Sequence, residues 1–280
     1  MEPLTTFRRG RYTFDVDDSG GTGTLVVLLH GFPQSRSMWH GLTPALTAAG
    51  YRVVAPDQRG YSPGASPLAR RDYTLTTLAD DVIGLVDAVG TDRFHVVGHD
   101  WGGAVAWQLG AAHADRVLSA NVMSTPHPRA MIKSLVTSTQ LLKSWYMLAF
   151  QPPWLAERFL ASPFGQNRLR TDLAATGMAP DQVEESLRLL ASPSGRTMLN
   201  WYRALPLSPG GGPGKVTVPT LYLYGAKDFA LGRKAAEGTA EFVTGPYRFE
   251  VLENAGHWMI DTDQGEVTAS ILDHLASIQP

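Results

Sequence analysis

The hydrophobic positions in the first half of the chain alternate between continuous runs and helical spacing. Residues 25–29 and 52–55 form short, mostly apolar runs of strand length. Such runs predict strands that are buried on both faces of a parallel sheet. Residues 75–89 instead carry apolar side chains at intervals of three and four, and Gly90 follows them. This pattern predicts an amphipathic helix that ends at a glycine.

The same alternation continues along the chain. Further strands are predicted at 12–16, 94–97 and 117–123, and helices between Trp39 and Gly50 and at 104–112. Strands that alternate with helices predict a mostly parallel sheet covered by helices on both faces. Because crossovers between parallel strands are right-handed, we predict an α/β fold with a doubly wound, mostly parallel sheet.

The alternation stops at the segment 124–128 and resumes only at 220–225. The intervening chain has helical patterns and no buried strand, and its helices are predicted at 135–150, 154–160, 181–190 and 197–205. The glycine-rich segment 208–214 predicts a flexible hinge. A strand at 248–252 and a helix at 266–278 complete the pattern. We therefore predict a core of residues 1–125 and 215–280, with a helical cap and hinge at 126–214.

Composition and charge narrow the possible functions. A hydrophobic fraction of 44% and a charged fraction of 18% are typical of a globular protein. The net charge of −2 and the lack of a basic run argue against nucleic acid or an anionic membrane as partner. The chain has no cysteine, which excludes disulfides and thiolate chemistry. With no secretory signal or membrane-length apolar run, we expect a cytoplasmic protein, either monomer or homodimer.

The segment Gly98-His99-Asp100-Trp101-Gly102 lies between a predicted strand and a predicted helix. This context is typical of a nucleophile elbow, whose flanking glycines permit a tight turn. The central residue is Asp100 rather than serine, and a carboxylate can displace a leaving group at a saturated carbon. The resulting ester must then be cleaved by water. We expect the helix N-terminus to favour the ionised carboxylate. Taken alone, the motif also fits an aspartate that caps a helix.

Two residues near the C-terminus are candidates to activate that water. Asp228 follows the predicted strand at 220–225, and His257 follows the strand at 248–252. Ligand sites of α/β sheets lie beyond the carboxyl ends of the strands, and the order nucleophile, acid, histidine is that of an α/β-hydrolase. We therefore predict that Asp228 orients His257, which activates water.

An oxyanion hole is predicted where the first buried strand ends. His30-Gly31-Phe32-Pro33 follows that strand. Cleavage of an Asp100 ester places negative charge on its carbonyl oxygen, and backbone N–H groups of Phe32 and Trp101 are placed to hold it. The same four residues are also compatible with an ordinary turn at a strand end.

These motifs resemble the soluble epoxide hydrolases of the α/β-hydrolase superfamily. The resemblance is carried by the segments 30–35, 57–62, 98–103, 227–229 and 256–258, and it spans nearly the whole chain. It implies a cis peptide bond before Pro33 and two cap tyrosines, Tyr146 and Tyr202. A tyrosine hydroxyl can donate its proton to the oxygen of an opening epoxide. The implied substrates are a small apolar epoxide and water, and no cofactor or metal is implied.

Other functions fit parts of the same pattern. Haloalkane dehalogenases also use an aspartate nucleophile, but they typically carry asparagine where this chain has Phe32. Fluoroacetate dehalogenases usually have arginine at the position of Trp101. A ligand-binding or non-hydrolytic relative on the same fold is a further alternative, since fold does not determine function. Both tyrosines could also merely pack within the cap. Trp145, Trp154, Phe164, Trp201 and Met147 are candidates for an apolar pocket or for the cap's own core.

Overall fold

The computed structural model describes residues 2–207 and 212–278. Residues 208–211, which make up most of the predicted hinge, lie outside the described residues. The strands of the described chain are β1 Thr6–Arg9, β2 Tyr12–Asp18, β3 Leu25–Leu29, β4 Arg52–Pro56, β5 Phe94–His99, β6 Val117–Met123, β7 Thr220–Gly225 and β8 Tyr247–Leu252.

The helices divide into those of the α/β alternation and those between β6 and β7. The first group contains α1 Thr43–Ala48, α2 Leu75–Val89, α3 Trp101–Ala112, α12 Arg233–Gly238, α13 Met259–Thr262 and α14 Gln264–Ala276. The second group, here called the inserted helices, contains α4 Pro128–Thr137, α5 Gln140–Lys143, α6 Trp145–Ala149, α7 Leu155–Leu160, α8 Pro163–Ala175, α9 Pro180–Ala191, α10 Ser194–Met198 and α11 Asn200–Ala204.

The eight strands form one sheet in the order β1-β2-β4-β3-β5-β6-β7-β8. Neighbouring strands from β4 to β8 pair in parallel, whereas β2 pairs antiparallel with both β1 and β4. The predicted doubly wound, mostly parallel sheet is confirmed. The carboxyl ends of the parallel strands share one edge, which brings the loops after β3, β5, β7 and β8 together.

Each face of the sheet is covered by its own hydrophobic cluster. Leu25, Val27 and Leu29 of β3 pack with residues of α2, α3 and the inserted helices. Val26 and Leu28, whose side chains point to the opposite face, pack with residues of α1 and α14. This explains the continuous apolar run of β3, because alternate side chains are buried on opposite sides.

Within the inserted helices the predicted boundaries were partly wrong. The single helix predicted at 135–150 is three helices, and the chain is extended at Ser138, whose hydroxyl donates to the carbonyl of Ser134. Helix α8 was not predicted because few of its positions are apolar. Its N-terminus nevertheless carries recognisable signals, since Ser162 caps it and Pro163 occupies its first turn.

Within the described ranges, no helix combines the length and the apolar character needed to cross a membrane.

Candidate functional site

Asp100 lies at the sharp turn between β5 and α3. Its backbone has φ 51° and ψ −120°, a conformation that L-residues rarely adopt and that costs about 1–3 kcal/mol. A Cβ atom at Gly102 would lie 2.0 Å from the carbonyl oxygen of Leu29, so only glycine fits there. The Thr125 hydroxyl donates to the Asp100 carbonyl at 2.6 Å and supports the turn from the end of β6. The turn thus presents the carboxylate above the sheet edge.

A backbone N–H group holds one oxygen of this carboxylate. The N–H of Phe32 donates to Asp100 Oδ1 at 2.9 Å, and the N–H of Trp101 helps to lower the pKa of the carboxyl group. The loop that carries Phe32 approaches closely, because a Cβ at Gly31 would lie 2.4 Å from Asp100 Cβ. The peptide bond between Phe32 and Pro33 is cis, as the resemblance implies. Of the two N–H groups of the predicted oxyanion hole, that of Phe32 hydrogen-bonds to Asp100.

His257 faces the other oxygen of Asp100. Its Nε2 lies 3.7 Å from Asp100 Oδ2, and its Nδ1 donates to Asp228 Oδ2 at 2.9 Å. Asp228 Oδ1 in turn accepts from the N–H groups of Ala230 and Leu231, at 2.8 and 2.9 Å. Both His257 and Asp228 are buried. The arrangement directs a lone pair of neutral His257 towards the Asp100 carboxylate.

Two side chains that the sequence did not single out hold the backbone of His257. Its carbonyl accepts from His99 Nε2 at 2.9 Å and from the Ser124 hydroxyl at 3.0 Å. Burial lowers the pKa of His99 to about 3, so this ring stays neutral. His99 is part of the elbow motif. The sequence pattern did not indicate its hydrogen bond to His257, because the two residues lie 158 positions apart.

The electrostatic environment couples Asp100 to His257. Burial raises the pKa of Asp100, and the His257 charge and the N–H groups of Phe32 and Trp101 offset part of this rise. The N–H group at the helix N-terminus favours the ionised form, as expected, but lost hydration is the larger effect and the pKa of Asp100 is raised. Burial lowers the pKa of His257, but the neighbouring Asp228 carboxylate outweighs burial and the pKa is raised.

Tyr146 and Tyr202 line the same cavity as Asp100. This cavity has a volume of about 300 Å³, and its other walls are mostly aliphatic side chains. The two tyrosine rings lie 6.0 Å apart between centroids. Burial raises the pKa of both hydroxyls, and the Asp100 carboxylate adds to the rise. Both hydroxyls thus remain protonated at neutral pH and can donate into the cavity.

The helices of the two tyrosines are tied together by polar side chains. Gln151 donates to the carbonyls of Met147, at 3.2 Å, and Tyr202, at 3.0 Å. Arg203 donates to the carbonyl of Phe150 at 2.8 Å and forms a two-pronged ion pair with Glu157, at 2.6 and 3.0 Å. Gln151 lies shortly after Tyr146 in the sequence, and Arg203 directly follows Tyr202. No sequence pattern indicated that their side chains form these hydrogen bonds.

The five residues expected in an apolar pocket or in the core of the cap lie in different environments. Met147 lines the cavity, and Trp201 is buried and donates its indole N–H to the Arg59 carbonyl. Trp145, Trp154 and Phe164 were wrongly expected inside, since each is more than 65% exposed. Apolar character alone could not decide between a cap interior and a cap surface.

Comparison with known proteins places this geometry in a family. Residues 24–197 match the family model described as the alpha/beta hydrolase fold. The chain is 34% identical to epoxide hydrolase A of Mycobacterium tuberculosis, over 94% of each chain. It is 36% identical to the AB hydrolase superfamily protein YfhM of Bacillus subtilis, over 90% of each chain.

Solved structures agree with the sequence comparison. The structure of epoxide hydrolase A from Mycobacterium thermoresistibile superposes with a TM-score of 0.85 at 29% identity, and 99% of each chain is covered. An epoxide hydrolase mutant of Vigna radiata superposes with a TM-score of 0.84 at 25% identity, over 98% of each chain. From its fold, its motifs and these similarities, the chain belongs to the epoxide hydrolase family of the α/β-hydrolase superfamily.

Proposed function

We propose that this protein hydrolyses epoxides to vicinal diols through a covalent ester on Asp100. The observation that carries the proposal is the environment of this carboxylate. The N–H of Phe32 holds its Oδ1, its Oδ2 faces His257, and two protonated tyrosines line the same cavity. A nucleophile, a base and acids thus surround one small apolar space.

In the first half-reaction Asp100 Oδ2 attacks a ring carbon and the carbon–oxygen bond on the opposite side breaks. The released alkoxide is strongly basic, since its conjugate acid is about as weak an acid as water. Tyr146 or Tyr202 donates a proton to it, which leaves a neutral alcohol and a tyrosinate. The product of this step is a hydroxyalkyl ester of Asp100.

In the second half-reaction His257 removes a proton from water, and the hydroxide attacks Cγ of the ester. Asp228 stabilises the imidazolium that forms, and the N–H groups of Phe32 and Trp101 stabilise the charge on Oδ1. Loss of one such donor typically raises the barrier by about 3–4 kcal/mol. The bond between Cγ and Oδ2 breaks, the leaving alkoxide takes the proton of the new carboxyl group, and the diol leaves with Asp100 ionised again. The proton taken up by His257 balances the one that the tyrosine gave.

The inserted helices serve as the cap of this site, with residues 126–214 as cap and hinge and residues 1–125 and 215–280 as core. The substrate is a small apolar epoxide, because Asp100 is the one charged residue among the described residues that line the cavity. Halide release is disfavoured, since Phe32 offers no side-chain donor for the leaving ion.

Turnover of three substrates tests the reaction class. We expect styrene oxide to be hydrolysed, and a bromoalkane and a nitrophenyl ester to react far more slowly. Preferential turnover of the bromoalkane would instead identify a dehalogenase, and binding without turnover would identify a non-hydrolytic relative. Asp100→Ala should abolish diol formation and is the matched control for background hydrolysis.

Isotope labelling tests the covalent route separately. After one turnover in ¹⁸O-water, the label should reside in the Asp100 carboxylate, and a second turnover in ordinary water should transfer it to the diol. Label in the diol of the first turnover would contradict the covalent route. In addition, His257→Gln should accumulate an ester that mass spectrometry detects as one added epoxide per chain.

A further inference from the structure

The loop after β7, residues 228–232, is held by a buried side chain of the inserted helices. Gln140, the first residue of α5, is only 1% exposed. Its Nε2 donates to the carbonyl of Ala230 at 2.8 Å, and its Oε1 accepts from the N–H of Gly232 at 2.7 Å. Nε2 also donates to the Ser144 hydroxyl at 3.0 Å, which fixes the orientation of the amide. One side chain thus satisfies both a carbonyl and an N–H group of the loop.

The loop that Gln140 holds is the one that binds the carboxylate of Asp228. Asp228 Oδ1 accepts from the N–H groups of Ala230 and Leu231, and its Oδ2 faces His257. The peptide group between Ala230 and Leu231 takes part in both sets of bonds, since its carbonyl accepts from Gln140 and its N–H donates to Asp228. Because a peptide group is planar, a bond that fixes the direction of its carbonyl also fixes the direction of its N–H.

Asp228 is the charged partner that His257 keeps during ester cleavage. Among the described residues, the titratable side chains beside the His257 ring are Asp228 at Nδ1, Asp100 at Nε2, and His99 at 5.0 Å between ring centroids. Asp100 carries no charge once it is esterified, and burial lowers the pKa of His99 to about 3, so its ring is neutral. Lys143 of α5 brings a cation to the same acid, since its Nζ donates to the Asp228 carbonyl at 2.9 Å. The basicity of His257 in the ester therefore depends on how Asp228 is held.

We infer, building on the proposed epoxide hydrolysis, that Gln140 is a positioning residue for cleavage of the Asp100 ester. It directs the peptide group that binds Asp228, and Asp228 in turn orients His257 and stabilises its imidazolium form. Gln140 lies outside the cavity lining, so it acts through Asp228 rather than on the substrate. Ring opening depends on Asp100 and the cap tyrosines, so the effect of Gln140 falls on the second half-reaction.

Gln140→Met tests this role, because methionine keeps the length of the side chain and removes both of its hydrogen-bonding groups. In single-turnover measurements with styrene oxide, ester formation should keep its wild-type rate. Ester hydrolysis should slow at least about tenfold, the factor that corresponds to the loss of a hydrogen bond to a buried group. A weaker pair with Asp228 also lowers the pKa of His257, so the pH midpoint of ester hydrolysis should fall.

Two further variants make the test specific. Gln182→Met is the matched control, because it makes the same chemical change at another buried glutamine of the inserted helices. Gln182 lies on α9, is 7% exposed and donates to the Ser37 hydroxyl at 3.4 Å. Both half-reactions and the pH midpoint should match the wild type in this control. Ser144→Ala removes only the hydroxyl that orients the Gln140 amide, so it should slow ester hydrolysis selectively and by a smaller factor.

The outcomes separate the role of Gln140 from the reaction itself. Unchanged ester hydrolysis in Gln140→Met would overturn the inference and leave the epoxide hydrolase function intact. Equal slowing of both half-reactions with an unchanged pH midpoint would also overturn it, because that result indicates a general loss of structure. If Gln140→Met does not fold, selective slowing in Ser144→Ala supports the inference, and a wild-type profile in that variant contradicts it. If styrene oxide forms no ester on Asp100 in His257→Gln, both the inference and the proposed function are wrong.

Discussion

The side-chain amide of Gln151 donates to the backbone carbonyl of Tyr202 at 3.0 Å, and so joins the segment after Tyr146 to the helix of Tyr202. Arg203 reinforces this connection through the carbonyl of Phe150 and the carboxylate of Glu157. These bonds fix the relative positions of α6 and α11, which carry the two proposed acids. We therefore expect substrate protonation to depend on residues outside the cavity lining.

Arg203→Met is expected to lower stability and to slow ring opening. The substitution leaves Glu157 without its cation in a pair whose side chains are only 7% and 16% exposed, and breaking such a pair costs about 3–5 kcal/mol. Denaturant unfolding measures this loss. Arg170→Met breaks an exposed pair with Glu184 and should leave stability nearly unchanged, which makes it the matched control.

Gln151→Ala separates positioning from stability. We expect single-turnover ester formation to slow, because the tyrosine pair loses its spacing, while hydrolysis of the ester already formed keeps its rate. Equal slowing of both steps would contradict a positioning role for Gln151 and indicate a general loss of structure.

Tyr146→Phe and Tyr202→Phe should each slow ester formation by about 100-fold or more, since general acid catalysis contributes about 100- to 10,000-fold. Ester hydrolysis should change little, because that step uses His257. Tyr247→Phe is the control, because the buried hydroxyl of Tyr247 has no hydrogen-bond partner within the described structure and lines no part of the cavity. Unchanged ester formation in both cavity variants would exclude the tyrosines as acids.

The rate of ester hydrolysis should rise with pH. His257 acts as a base only when neutral, so this step is lost as the pH falls below the pKa of His257 in the ester. In the free protein this pKa is raised above 6.5, in part by the Asp100 charge. Ester formation removes that charge, so the midpoint for ester decay should lie below the pKa measured by NMR for free His257. A higher midpoint would contradict the proposed role of Asp100.

Asp261→Asn should stabilise the protein above pH 6. Asp261 accepts from the N–H of Ala179 and from Gln34, at 3.2 and 3.4 Å, and burial raises its pKa to about 6. Because the folded state binds this proton more tightly than the unfolded state, stability falls as the pH rises from about 4 to 6. The variant should gain up to about 2 kcal/mol at pH 7.5 and nothing near pH 4. Unfolding curves at both values check this.

Much of the fold was predictable because its strands are buried on both faces. β3, β6 and β7 lie where their apolar runs predict, and α2 ends at Gly90, which has the left-handed conformation expected of a helix stop. The inserted helices were less predictable. Their amphipathic patterns are short and irregular, and exposed aromatics such as Trp154 resemble buried ones in sequence.

The chemical candidates were recognisable before folding: Asp100 in a glycine turn, Asp228 and His257 after strand ends, and two tyrosines matched to a family pattern. Each could be recognised because it lies in or next to a short motif or a predicted strand. The groups that support these residues depend instead on how distant segments pack together. His99 and Ser124 reach His257, and Gln151 reaches Tyr202, through contacts between distant segments that no local pattern records. The cavity arises in the same way, because its lining depends on how α4, α6 and α11 pack over the sheet edge.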